Sequence, residues 1–259
     1  MLTLAQITEQ YPENLRPFRR NILREYLQYK ILEIVFASKY AGKLSFLGGT
    51  ALRIIHGNTR FSEDLDFDNF ALTEDEFAAL ANHVREGLDA LGFKTEIVVV
   101  EKDAYCCKVR SPEVLFLNDL SPHQEEKILI QIDSVAHDYD YRPDEKIINK
   151  FDVFSTIFVT PPEVLLGQKF YAALNRKCAK GRDFYDIVFL LSFTKPDYTY
   201  LERIIGCGDA ETLREKVLLA CEQLDFEELA EDVSPFLFTA TDAKKVALFP
   251  KFIADADLE

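Results

Sequence analysis

Leu65-Asp66-Phe67-Asp68 alternates apolar and acidic side chains, a period of two that suits a strand with one buried face and one face carrying charge. On such a strand Asp64, Asp66 and Asp68 share a side, whereas on a helix Asp64 and Asp66 would stand about 200° apart. The strand needs neighbours. Upstream, Lys43-Leu44-Ser45-Phe46-Leu47 is short and apolar and runs into Gly48-Gly49, which reads as a buried strand, a tight turn and a short helix from about Thr50 to His56, stopped by Gly57-Asn58. Downstream, Lys127-Ile128-Leu129-Ile130-Gln131-Ile132-Asp133 is a further strand whose last residue is an acid.

Helical periodicity fills the intervals. Phe18, Ile22, Tyr26, Leu27, Ile31, Ile34 and Val35 place one long helix, or two joined ones, in residues 14 to 39. Thr73 and Glu76 form a capping box ahead of the apolar stripe Phe77, Leu80, Ala81, Val84 and Leu88, and Gly92 supplies the stop. Strands are expected at Phe93 to Val100, Tyr105 to Val109 and Val114 to Leu117, with connections at Pro112 and Asn118-Asp119. These elements predict an α+β fold built on a mixed sheet. Pro161-Pro162 marks a boundary. Residues 1–159 form a first domain with an N-terminal helical segment, and residues 160–259 a mainly helical one, broken around Gly181, with a stripe of Leu213, Val217, Cys221 and Leu224 beyond it.

Composition narrows the function. Thirty basic against 44 acidic residues give a net charge of -14, which argues against a broad grip on nucleic acid but leaves room for one local basic cleft. Five cysteines, Cys106, Cys107, Cys178, Cys207 and Cys221, form no CxxC pair, so neither a disulfide framework nor a structural zinc site is expected. His56, His83, His123 and His137 show no zinc spacing; His83 falls on the helix after Thr73, and His123 and His137 in connections. No export signal and no membrane span is expected, and a cytoplasmic location is the simplest reading.

The chemistry sits on the acids. A lone DxD is often only a solvated edge-strand face, but Asp133 ends a separate strand. If the two strands are neighbours, Asp64, Asp66 and Asp133 converge as hard oxygen ligands for one or two Mg²⁺ ions, with Mn²⁺ as the alternative. Asp133 is also the best candidate to assist deprotonation of an acceptor hydroxyl; its bland role is a strand-end cap on Ser134. Gly48 and Gly49 let a phosphate approach the backbone, and Thr50 can cap the helix or contact phosphate, although Gly-Gly alone often means only a turn. Arg60 and Ser62 are placed to support the acids or a triphosphate, or to form an ordinary turn.

Phe46-Leu47-Gly48-Gly49-Thr50-Ala51-Leu52, followed by Arg60-Phe61-Ser62-Glu63-Asp64-Leu65-Asp66-Phe67, resembles the AbiEii/AbiGii toxin family. This is a branch of the nucleotidyltransferases with the DNA polymerase beta-like fold. The likeness continues at Thr160-Pro161-Pro162-Glu163-Val164, through Lys169 to Arg176, and at Gly181-Arg182-Asp183-Phe184-Tyr185-Asp186. It implies phosphate recognition at Gly48, Gly49 and Thr50, metal binding at Asp64 and Asp66, and Asp133 as third carboxylate. Lys169 and Asp186 are implied as later catalytic or nucleotide-binding positions, with Arg176, Arg182 and Asp183 in the same motif. Lys169 and Arg176, seven residues apart, share a helical face, to meet phosphate or simply solvent. Asp183 and Asp186 fix a cation or form an ordinary inter-helix salt bridge, and Tyr171 and Tyr185 stack on a base or fill the core.

The combined GGT, DLD, Asp133 and Lys169/Arg176 set predicts transfer of an NMP unit from an NTP to an acceptor hydroxyl; the resemblance implies RNA or tRNA as that acceptor and the toxin of a toxin-antitoxin system for phage defence, with an AbiEi-like antitoxin as partner. A protein or small-molecule acceptor, or an inactive protein that binds nucleotide or antitoxin, is the alternative.

Overall fold

The period-two segment at 65–68 does form a strand, in the interior of a seven-stranded sheet rather than at its edge. The computed structural model describes residues 1–101, 105–136 and 139–259. Two units are present: Met1–His56 with Phe61–Thr160, and Gly57–Arg60 with Pro161–Glu259.

The first unit runs α1 (Leu4–Glu9), α2 (Arg19–Ala37), β1 (Leu44–Leu47), α3 (Gly48–His56), β2 (Leu65–Asn69), α4 (Glu74–Ala90), β3 (Glu96–Glu101), β4 (Tyr105–Ser111), α5 (Val114–Leu117), β5 (Ile128–Ala136), β6 (Asp144–Lys150) and β7 (Val153–Val159). The sheet order is β3-β4-β5-β2-β1-β7-β6. It is mixed: β2 lies parallel to β5 and β1 parallel to β7, while the other four pairings are antiparallel. α2 and α4 pack together and against the sheet, so one side of each central strand is apolar. Leu65 and Phe67 are buried there, with the Phe67 ring 5.5 Å from Phe46 and 6.1 Å from Phe36. Thr73 and Glu76 make the expected capping box on α4.

Three local expectations change, and one hairpin is new. Val114–Leu117 is a helical turn, because Glu113 takes a left-handed φ of 63° and its carbonyl accepts from Leu117 N at 2.8 Å. β5 continues to Ala136, so Asp133 lies inside the strand instead of ending it: parallel pairing with β2 carries the ladder on to Ala136 opposite Asn69. The long helix starts only at Arg19, after a 3-10 turn at Glu13–Leu15. The β6-β7 hairpin had no counterpart in the sequence reading. β6 is an edge strand, Asp-Glu-Lys-Ile-Ile-Asn-Lys, with Ile148 alone fully buried and no clean alternation to betray it.

What anchors that hairpin is a buried charge. Glu25 on α2 is 3% exposed and accepts from Lys150 Nζ at 2.7 Å, Tyr11 Oη at 2.8 Å and Arg53 Nε at 3.0 Å. The Lys150 ammonium also lies 4.0 Å from the Tyr11 ring centroid, so the cation is held by a carboxylate and an aromatic face together.

The second unit is helical beyond its four-residue opening segment: α6 (Pro162–Asn175), α7 (Gly181–Leu190), α8 (Tyr198–Ile205), α9 (Ala210–Cys221), α10 (Phe226–Val233), α11 (Lys244–Ala247) and α12 (Phe249–Asp255). Gly181 begins α7 instead of interrupting a helix; a Cβ there would stand 1.8 Å from the Leu229 carbonyl oxygen, which only glycine avoids. Phe184, Phe226 and Phe249 cluster beside that contact. Among the described residues no helix is long and apolar enough to cross a membrane.

Candidate active site

In the first unit, β1 delivers the chain to Leu47, whose register partner on β2 is Asp66. The next residue, Gly48, is already the first of α3 and takes φ +77°. There is thus no separate turn before Thr50, and Thr50 does not cap the helix. Its hydroxyl donates to the Asp64 carbonyl and is wholly buried, which ties the helix start to the residue before β2. A Cβ on Gly48 would lie 2.2 Å from Asp66 Oδ2. The carboxylate of Asp66 therefore occupies the space a side chain at 48 would need.

Gly48→Ala is accordingly a severe substitution. The left-handed backbone alone costs about 1–2 kcal/mol for an L-residue, and the Asp66 carboxylate must move as well. We expect a lowered melting temperature and a fall in turnover on the order of 100-fold, the scale of a 1 Å misplacement. Calorimetry and an activity assay on one preparation check it; wild-type values in both would contradict this geometry.

Asp66 and Asp133 are Cα partners across the parallel β2-β5 pair, so both carboxylates rise from the same level of the same face. Asp64 lies one step away, beside Gln131. Gln131 was not singled out from the sequence, yet it joins two of the acids: its backbone N–H donates to Asp64 Oδ1 at 3.3 Å and its Nε2 donates to both Asp133 oxygens at 3.0 and 2.7 Å. The available signal was its spacing, two residues before Asp133 on a strand. Cys106 on β4 is the register partner of Asp133 on the other side. Burial, then a hydrogen bond to Asp133 and that residue's negative charge, push the Cys106 thiol up to about 11. Asp68, the third acid of the run, is buried and accepts from Tyr141 Oη at 2.5 Å, which also contacts Thr160 Oγ1 at 2.8 Å.

Hard carboxylate oxygens on adjacent strands are the donor type a divalent Mg²⁺ or Mn²⁺ requires. Among the described residues, however, no group of three or more His, Cys, Asp and Glu side chains is gathered to hold a metal ion. The Gln131 contacts explain the difference from simple convergence, since they hold the Asp133 carboxylate along its own strand and the Asp64 carboxylate against the β5 backbone. The pair Asp66 and Asp133 fits such an ion by chemistry and level, and Asp64 stands next in line. Ser62 is half-buried, and its carbonyl and that of Glu63 accept from the buried Gln28 amide at 3.0 and 2.9 Å, which fixes the approach to β2. His83 is exposed on α4 and His123 lies in the connection before β5; His137 is outside the described residues.

In the second unit, a second set is built around Asp186, which is wholly buried. Its Oδ1 accepts from Arg60 Nε at 2.7 Å and Asn58 Nδ2 at 2.9 Å; its Oδ2 accepts from Arg60 Nη2 at 2.6 Å and pairs with Lys169 Nζ at 2.9 Å. Burial alone would push this carboxyl up, but the charges and hydrogen bonds of Arg60 and Lys169 outweigh it and hold it down to about 2. Lys169 also pairs with Asp183 at 3.3 Å, and Arg176 reaches Asp183 at 3.4 Å. Arg176 is not on the Lys169 helix: α6 ends at Asn175 and Arg176 is extended, because the chain must leave the helix before α7. Arg182 is half-exposed in the first turn of α7. Tyr185 is a core residue, with its hydroxyl 2.9 Å from Thr59 Oγ1, whereas Tyr171 is 44% exposed. Asn58 was missed because nothing about Gly57-Asn58 suggests more than a helix stop.

A family model described as nucleotidyl transferase AbiEii toxin, Type IV TA system, matches residues 30–245. The chain belongs to the AbiEii toxin family. It is a nucleotidyltransferase of a toxin-antitoxin system. The solved structures agree in fold. JHP933 from Helicobacter pylori is 16% identical, with 90% of this chain and 91% of that one covered at a TM-score of 0.53. MenT4, a nucleotidyltransferase toxin from Mycobacterium tuberculosis, is 18% identical, with 99% of this chain and 91% of that one covered at 0.59. No curated protein matches the sequence. The mixed sheet and helical C-terminal region of this AbiEii chain are those of a DNA polymerase beta-like nucleotidyltransferase.

Proposed function

We propose that this AbiEii enzyme transfers NMP from an NTP to a hydroxyl of an RNA acceptor, tRNA among them, and releases pyrophosphate. The observation that carries the reading is the in-register pair Asp66 and Asp133 beside a helix that opens on a left-handed glycine packed against Asp66. Asp64, Asp66 and Asp133 would hold Mg²⁺ or Mn²⁺, which supplies neutralisation of charge at the transferred phosphorus and acidifies the acceptor hydroxyl. Gly48, Gly49 and Thr50 receive the phosphates through backbone N–H groups at the start of α3, where the helix dipole favours an anion. Asp133 Oδ, oriented by Gln131, takes the acceptor proton.

In the second unit, Lys169, Arg176, Arg182 and Asp183 keep a nucleotide-binding assignment on the strength of the family motif. Arg60 acts as a positioning residue because its guanidinium is committed to Asp186, and Ser62 acts through its carbonyl, which the Gln28 amide fixes before β2. An AbiEi-like protein is the proposed antitoxin.

The test is mass spectrometry of RNA, protein and metabolite fractions after incubation with Mg²⁺ and an NTP mixture, with Asp64→Ala as control. An NMP increment on RNA, absent from the control, is expected. An increment on protein or metabolite instead would overturn the RNA assignment, and no increment on any fraction would overturn transfer itself.

A further inference from the structure

We infer that the open face of β3, β4 and β5 carries the RNA acceptor, with Lys108 and Arg110 as its phosphate contacts. The inference rests on the RNA reading above and adds where that RNA lies.

Among the described residues these three strands are covered on one side only. Cys107, Val109, Ile130 and Ile132 are buried toward the helices, whereas on the other side Val98 and Leu129 are each 40% exposed and Cys106, Lys108, Arg110, Gln131 and Asp133 are half-exposed. Alternation puts residues 106, 108 and 110 of β4 on the same face as Asp133 and Asp66, since Cys106 is the register partner of Asp133 and Lys108 that of Gln131. From the acids outward, β4 therefore presents a thiol, an ammonium and a guanidinium, with roughly 6.7 Å between steps.

Among the described residues the two cations have no counter-ion. Among the described residues neither Lys108 nor Arg110 makes an ion pair, and the polar groups opposite them are taken: Glu96, register partner of Arg110, pairs with Lys127 at 2.6 Å, and the Gln131 amide serves Asp133. In a chain of net charge -14, anions are repelled from most of the surface, so two uncompensated cations leading to a carboxylate pair mark the path a polyanion can follow. Apolar Val98 and Leu129 give the bases ground to pack on without hydrogen-bond readout. A terminal hydroxyl at Asp66 and Asp133 leaves the next one or two phosphates over Lys108 and Arg110. This footprint is small enough for an acidic protein, and it calls for a single-stranded end.

The experiment measures transfer of labelled NMP to a synthetic single-stranded RNA over a salt series, for wild type, K108A/R110A, K108E/R110E and K108R/R110K. Charge reversal is expected to raise KM for RNA at least tenfold while KM for NTP stays within twofold. The alanine pair should flatten the slope of log KM against log salt by about 1.4, two contacts at ~0.7 each. The charge-keeping swap should restore both. Should the glutamate pair fail to fold by circular dichroism, the alanine pair and its salt slope decide. An RNA KM and slope unaltered in a folded double variant would overturn the inference while leaving RNA transfer standing. A wild type that labels protein or metabolite and never RNA would overturn the RNA reading, and this inference with it.

Discussion

Asp186→Ala is expected to destabilise the second unit by about 3–5 kcal/mol, the cost of leaving one partner of a buried ion pair without the other. Four donors converge on this carboxylate, and the Arg60 side chain that supplies two of them is only 2% exposed. Removing the anion strands that guanidinium away from water. Arg60→Met in the same background should recover much of the loss, because an apolar chain of similar length needs no counter-ion; additive single effects in the double-mutant cycle would refute the pairing. The same group sets an acid limit. Its pKa is depressed in the folded protein, to about 2, from about 4 unfolded, so its contribution is fully present above pH 4 and is lost as pH falls from 4 toward 2. The stability involved is on the order of 2–3 kcal/mol. Urea titrations from pH 7 down to 2.5 should show that loss in the wild type and a much flatter profile in Asp186→Ala.

Asp66→Ala should have the opposite character, with a large effect on chemistry and a small one on folding. Losing a carboxylate that would hold the ion which neutralises charge at the transferred phosphorus removes several kcal/mol of transition-state stabilisation, and about 4 kcal/mol is a factor near 1,000 in rate. Folding should change by about 1 kcal/mol or less, the worth of an anion near a helix start. Single-turnover transfer and thermal melts on the same sample separate the two. A variant that keeps a tenth of the wild-type rate would remove Asp66 from the reacting centre.

The contrast between these two acids shows what could be read from the chain alone. Asp66 was legible because strand alternation is a local pattern with one geometric solution, whereas the glycine pair reads as a turn and instead opens α3. The capping box of α4 was legible for the same reason. Asp186 was visible as a motif position able to fix a cation such as Lys169, but its three donors from Asn58 and Arg60 were not, because these residues lie more than 120 residues away in sequence and a turn-like GNTR segment carries no periodicity. Asp133 was found but set at a strand end, since the polar turn of sequence after Ile132 hides a ladder continued by pairing with β2. The β6-β7 hairpin escaped because an edge strand needs little apolar surface and draws its anchor, Lys150 on Glu25, from tertiary contact. Lys169 and Arg176 were joined on one helix because seven residues match its period, and periodicity says nothing about where a helix stops.

Gly57–Arg60 sits between α3 and β2 in the chain but belongs to the second unit, so the polypeptide passes from one unit to the other three times. Recombination between relatives is constrained accordingly. A chimera joined once, near residue 160, separates Arg60 and Asn58 from the Asp186 they bond, whereas a second crossover that carries positions 57–60 keeps the set together. These positions are therefore expected to be inherited with the C-terminal hundred residues, as a split heritable block that a single cut cannot exchange.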